Sequence, residues 1–228
     1  GRVAFRGGAR SRRAESAPMP TLLYLHGFRS SPQSAKARVT AQRVGQINQQ
    51  RLGQGLPPLR WLCPQLPPSP RAAMTLCHDL LGKVRGDDLC LIGSSLGGFY
   101  ATYLAHTLQA RAALLNPAVD PARDLRGQIG TLTAWHDPAL QFDFTAQHVD
   151  ELHALEVGDL RAPVPDPQRY LVIIAQGDEV LDWREAAERY RGAKCSVLPG
   201  GDHALSDYAQ QHLDPVLRWC LNPASNDF

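Results

Sequence analysis

"DLCLIGSSLGGFYATYLA" (Asp88–Ala105) decides the fold. Its first six residues, Asp88–Gly93, read as a strand with an apolar centre. The run stops at Gly93-Ser94-Ser95-Leu96-Gly97. Beyond it Leu96, Phe99, Tyr100, Tyr103 and Leu104 recur at i, i+3, i+4, i+7 and i+8, the stripe of an amphipathic helix. A strand that turns into a helix through Gly-x-Ser-x-Gly strains the central serine and lifts its hydroxyl out of the sheet. Only Ser95 fits that register, because Ile92 stands where Ser94 would need glycine. Side chains at Gly93 or Gly97 would collide with neighbouring backbone. Ser95 and Leu96 fall at a helix N-terminus, where free N–H groups favour developing negative charge.

The flanking sequence alternates in the same way. "TLLYL" (21–25) is a strand that ends at His26-Gly27, and a helical pattern runs from Gln33 to Arg51. "LRWLCP" (59–64) is a second strand. Ser69-Pro70 opens a helix over 69–84, as N-cap and first helical position. After the central strand come "ARAALLNP" (110–117), "YLVIIAQ" (170–176) and "KCSVL" (194–198), with a helix over 182–192 before the last. The stretch from Ser206 to Cys220 is helical in composition, with Pro215 starting a fresh helix. Runs such as "LVIIA" are apolar at consecutive positions, which marks a parallel sheet buried on both faces. The expectation is an α/β fold of six mostly parallel strands with helices on both faces. Residues 117–168 are too long for an ordinary connection. They form a lid-like insert after the fourth strand, with a helix over 144–156.

The whole chain sets limits on partners. It has 228 residues, 43 % of them hydrophobic, and a formal net charge of +2. That is enough apolar material for one sizeable domain. It is too little charge to hold nucleic acid or a membrane surface. No apolar run approaches the roughly 20 residues of a membrane span. The five cysteines (63, 77, 90, 195 and 220) are odd in number, widely spread and without a CxxC pair. Neither a disulfide framework nor a zinc site fits, so the reading is a reducing, cytoplasmic setting. The Arg-rich residues 1–18 lack the apolar region of a secretory signal. They read as a disordered tail or a start-site artefact ahead of Met19-Pro20, with an organelle transit peptide as the alternative. The domain is therefore expected to cover 19–228.

In open α/β sheets ligands bind at the carboxyl ends of the strands. His26 to Arg29, Ser94-Ser95, Asn116, Gly177 to Glu179 and Gly200 to His203 all fall there. A serine hydroxyl needs a base within hydrogen-bond reach, and the base needs an acceptor that holds its tautomer. His203 is the candidate base and Asp178 the candidate acid, in the chain order Ser95…Asp178…His203. The backbone N–H groups of Phe28 and Leu96 are the candidate oxyanion donors. Glu179, Asp182 and Asp120 are rival acids, although Asp182 also reads as the cap of the following helix.

"YLHGFRSSPQSAKA", "GSSLGGFYATYLA", "LLNPAV", "QGDEVLDWREA.ERY" and "GGDHALSDY", together with "FTAQHVDELHALEV" in the insert, resemble the YqiA-type bacterial esterases of the α/β-hydrolase superfamily. The resemblance runs from about Leu22 to about Trp219. It implies a minimal α/β-hydrolase sheet in the order 2-1-3-4-5-6 and a small ester or thioester hydrolase with Ser95, Asp178 and His203 in the triad positions, Phe28 and Leu96 in the oxyanion positions, and no metal or cofactor. Acyl-CoA thioesterase and a hydrolase-fold binding protein remain alternatives.

Other residues have plainer readings. His26 shapes its loop through backbone hydrogen bonds. Arg29 is a solvated loop residue or a contact for an anionic substrate group. His78, His106, His136, His148, His153 and His212 show no metal-ligand spacing. Phe99, Tyr100 and Tyr103 are core. Trp135 and Phe142 line an acyl pocket or serve structure only.

Overall fold

A computed structural model describes residues 20–222 of the chain. The expectation for residues 1–18 lies outside the described residues. The elements follow in this order: β1 (Thr21–Leu25), α1 (Ala35–Gly53), β2 (Arg60–Leu62), α2 (Pro70–Leu81), β3 (Leu89–Ser94), α3 (Leu96–Leu108) and β4 (Arg111–Leu115). The insert then supplies α4 (Pro121–Leu125), β5 (Gly130–Thr133), β6 (Gln141–Phe144) and α5 (Ala146–Ala154). The chain returns through β7 (Tyr170–Ala175), α6 (Trp183–Arg189), β8 (Lys194–Leu198), α7 (Tyr208–Gln211) and α8 (Leu213–Leu221).

Six strands form one parallel sheet in the order β2-β1-β3-β4-β7-β8. In chain order those strands are 2-1-3-4-5-6, the expected order. β1, β3 and β7 are buried at every position. Successive side chains of a strand point to opposite faces, so each buried strand feeds two cores. Leu23, Leu25, Leu91, Leu114 and Val172 pack under α2, α3, α5 and α6. Leu22, Tyr24, Ile92, Leu115 and Ile173 pack under α1, α7 and α8. Each fully buried aliphatic side chain contributes about 1.5–3 kcal/mol, and the centre of the sheet is accordingly its best-anchored part.

β8 departs from the expected cover on both faces: four of its five residues are exposed. It is the edge strand, and α6 packs on β7 instead. Cys195 therefore lies at the surface, while all five cysteines are free thiols.

Local signals place the helix ends. Ser69 accepts from the Ala72 N–H and Pro70 is the first helical residue of α2. The helix after His212 begins at Leu213, so Pro215 lies within its first turn and does not start it. Proline fits there because first-turn N–H groups have no intrahelical acceptor.

The insert holds more structure than its helix. β5 and β6 pair antiparallel, Gly130 opposite Phe144 and Thr133 opposite Gln141. Thr145 caps α5 reciprocally with His148. Buried Glu151 of α5 accepts from the Ser69 hydroxyl (2.5 Å) and the Arg71 N–H (3.1 Å). That pair of bonds pins the insert to the start of α2.

Candidate active site

β3 delivers Ser95 to the carboxyl edge of the sheet. Its backbone has φ 55° and ψ −118°, a conformation that costs a non-glycine residue about 1–3 kcal/mol. Three backbone bonds hold it there. The Ser95 N–H donates to Leu115 O (3.1 Å), and Ser95 O accepts from the N–H of Gly98 (2.9 Å) and of Ala118 (3.0 Å). A Cβ on Gly93 would stand 2.2 Å from Gly97 O, and one on Gly97 1.9 Å from Leu25 O. The turn closes only with glycine at both positions.

His203, in the loop after β8, brings its Nε2 to 2.9 Å from Ser95 Oγ. Its Nδ1 lies 2.8 Å from Asp178 Oδ2. An ionised carboxylate only accepts, so the ring proton sits on Nδ1 and Nε2 accepts from the serine hydroxyl. Asp178 follows β7, and its Oδ1 accepts from the N–H groups of Val180 and Leu181, both at 2.8 Å. Burial pushes the Asp178 pKa up. The hydrogen bonds from His203, Leu181 and Val180 outweigh that and hold the carboxyl below its ordinary value. The acid is shielded, its side chain 3 % exposed, while the imidazole is 20 % exposed and open to the cleft.

The rival acids are engaged elsewhere. Asp182 accepts from the Arg184 N–H as N-cap of α6, and Asp120 accepts from the Arg123 N–H as N-cap of α4. Glu179 accepts from the backbone N–H of His203 (3.0 Å). It steadies the histidine loop and does not meet the ring.

One residue that sequence reading left without a role is Asn116, at the end of β4. It is buried and has φ 42°. Its Oδ1 accepts from the Ala175 N–H (2.8 Å), and its Nδ2 donates to the carbonyls of Asp202 (3.0 Å) and His203 (3.1 Å). Asn116 thus ties the histidine loop to the ends of β4 and β7. The only sequence signal was an asparagine before proline at the end of a buried strand.

The turn after β1 lies against the serine: a Cβ on Gly27 would be 3.5 Å from Ser95 Cβ. Among the described residues neither the Phe28 nor the Leu96 N–H has an acceptor. Both belong to residues that line the cleft at Ser95. The Phe28 ring packs edge-on against Phe144 (5.1 Å between centroids) and Phe142 (6.1 Å). His26 stabilises this turn. Its Nε2 accepts from the Leu66 N–H (2.9 Å) and its Nδ1 lies 2.8 Å from Gly27 O, so Nδ1 carries the proton. Burial lowers the His26 pKa and keeps the ring neutral.

Arg29 is half-buried and engaged by the hairpin. Its guanidinium lies 3.6 Å above the Trp135 ring. Its Nε donates to Thr133 O (2.7 Å), and the Trp135 N–H donates back to Arg29 O (2.9 Å). Arg29 clamps the β5–β6 hairpin to the turn after β1. Tyr100 is buried in the core as expected, and it also forms part of a cavity wall.

Ser95 and His203 line a cleft of about 690 Å³, together with Phe28, Leu96, Trp135 and Leu181. A smaller cavity of about 200 Å³ adjoins it across Phe28 and Leu96. Among the described residues no cluster of three or more His, Cys, Asp or Glu is arranged to hold a metal ion. None of their helices is long and apolar enough to cross a membrane.

The parallel sheet, the serine elbow at its centre and the acid and histidine loops beside it define an α/β hydrolase fold. A model of the uncharacterised protein family UPF0227 matches residues 21–220, and the chain belongs to that family. It is the YqiA-type family that the five motifs resemble. The chain is also similar to a hydrolase described as putative from Agrobacterium vitis S4, with a TM-score of 0.64 at 17 % identity, over 94 % of this chain and 96 % of that one. Est1E from Butyrivibrio proteoclasticus aligns with a TM-score of 0.64 at 15 % identity, covering 89 % and 87 %. A monoacylglycerol lipase from Paleococcus ferrophilus aligns with a TM-score of 0.58 at 14 % identity, covering 89 % and 95 %. At these identities the likeness is one of fold.

Proposed function

We propose that the protein is a serine hydrolase that cleaves carboxylic esters through an acyl-enzyme. The observation that carries this reading is the unbroken hydrogen-bonded line Ser95–His203–Asp178 beside two unspent N–H groups. Ser95 Oγ attacks the ester carbonyl carbon while His203 Nε2 takes the hydroxyl proton. The carbonyl oxygen becomes an oxyanion held by the N–H groups of Phe28 and Leu96. Each such donor is worth about 3 kcal/mol of transition-state stabilisation. Asp178, kept ionised by its three hydrogen bonds, stabilises the imidazolium. The carbon–oxygen bond to the alcohol breaks, and His203 returns the proton to the leaving oxygen. A water then adds to the acyl-Ser95 carbon and gives up a proton to His203. The acid leaves and the Ser95 hydroxyl is restored, so one ester and one water yield one acid and one alcohol. The odd, unpaired set of thiols supports a reducing cytoplasmic setting.

Replacing Ser95 with alanine tests the reading. Hydrolysis of a p-nitrophenyl ester is expected to fall by about 10⁴-fold or more, with the thermal melt retained. Undiminished turnover would reject the assignment. The relative rates on the p-nitrophenyl ester and an acyl-CoA separate esterase from thioesterase. A single round of fluorophosphonate labelling without steady turnover would identify a binding protein.

A further inference from the structure

We propose that the 200 Å³ cavity beside Phe28 and Leu96 is the acyl pocket, and that it restricts the protein to short or compactly branched acyl groups. This rests on the hydrolase reading. The assignment of sides follows from proton transfer. His203 must protonate the leaving oxygen, so the alcohol lies on the His203 side of the carbonyl carbon. The large cleft is that side, because Ser95, His203 and Ala204 line it. The small cavity touches neither Ser95 nor His203, yet it shares Phe28 and Leu96 with the cleft. A carbonyl oxygen held by those two N–H groups therefore directs its acyl chain away from the histidine and into this space.

The wall chemistry fits a hydrocarbon. Nine of its sixteen lining residues are apolar or aromatic, Leu66, Pro67, Pro68, Tyr100, Ala134 and Phe142 among them. The polar groups beneath are already occupied. His26 Nε2 accepts from Leu66 N–H, the Arg29 guanidinium is held by Thr133 and Trp135, and the Gln65 amide donates to Ser30 O. His136 and Gln141 stand exposed at the rim. Arg29 is the one lysine or arginine that lines the cavity, and its Nε and Nη2 are spent on Thr133. An apolar cavity of about 150 Å³ takes a benzene-sized group, and sites for drug-sized ligands run to about 300–1,000 Å³. A space of about 200 Å³ thus suits an acyl chain of about four to eight carbons.

The test is a series of p-nitrophenyl esters from acetate to dodecanoate. Wild-type kcat/KM is expected to fall at least tenfold between hexanoate and dodecanoate. Ala134 is buried in the cavity wall, so Ala134→Phe fills the space and should lower the hexanoate-to-acetate ratio at least tenfold. Leu140 lines the same cavity but is 48 % exposed. Leu140→Ala opens it, should raise the dodecanoate-to-hexanoate ratio at least threefold, and decides the matter alone if the first variant fails to fold. Fluorophosphonate labelling of Ser95 confirms a folded site in each variant. Unchanged ratios in folded, active variants would overturn the acyl pocket and leave the hydrolase reading standing. A wild-type protein that hydrolyses none of the esters would overturn both.

Discussion

Ser95 and Trp135 line the same cleft on different foundations. Ser95 follows β3, every residue of which is buried between two cores. Trp135 follows β5 of a two-stranded hairpin and is 68 % exposed. The serine backbone is fixed by three hydrogen bonds and by glycines packed too closely to take a Cβ. The hairpin is fixed by Arg29 and its stacked ring, by a few hydrogen bonds, and by Phe142 and buried Phe144 packing against Phe28. On the proposed reading, the bond-making centre sits where displacement costs most and the wall that sorts acyl groups sits where replacement costs least, which puts the chemistry on the scaffold and the selectivity on a loop.

The largest break in that contrast should come from Gly97→Ala. Its Cβ would meet Leu25 O at 1.9 Å, and backbone cannot yield as a side chain tip can. A loss of about 3 kcal/mol is expected, read as a lowered urea midpoint, together with loss of turnover. Unaltered stability would show that the elbow is looser than its geometry. Asn116→Ala comes next. It leaves the Ala175 N–H without its acceptor and frees the histidine loop. The expected cost is about 1–3 kcal/mol in stability and about 10–100-fold in kcat. KM should stay within a few-fold, and Asn116→Asp should keep the acceptor yet still lower kcat. A change confined to KM would remove Asn116 from the positioning role. Arg29→Ala should do least to the fold. A stacked cation is worth about 0.5–1 kcal/mol, so the melting temperature should drop by about 1–4 °C. Tryptophan fluorescence should shift and the acyl-length preference should broaden. If Arg29→Ala unfolds the protein as readily as Gly97→Ala, the two walls are not distinct.

Much of this was legible in the chain. Consecutive apolar residues in "LCLIG" and "YLVIIA", bounded by turn residues, mark strands buried on both faces, and the ends of those strands mark the site edge; the strand order came with the resemblance to α/β hydrolases. The hairpin was not legible. β5 and β6 have four residues each, and their apolar content is too small to set a period-2 signal against the turn at Asp137-Pro138. Arg29 could not be read either, since its partner Thr133 is 104 residues away and contributes a backbone carbonyl. The exposure of β8 was hidden because "KCSVL" has the composition of a covered strand.

The sequence by itself determined the sheet, the elbow at Ser95 and the order of the acid and the histidine. Those depend on local chemistry: glycine where Cβ cannot fit, apolar runs where both faces close, turn residues at strand ends. Only the tertiary structure decided which carboxylate meets His203, that Asn116 holds the histidine loop, and that a small apolar cavity adjoins the cleft across Phe28 and Leu96. Each of these depends on distances between segments far apart in the chain, and such distances are set by how helices and sheet pack, which no local pattern encodes.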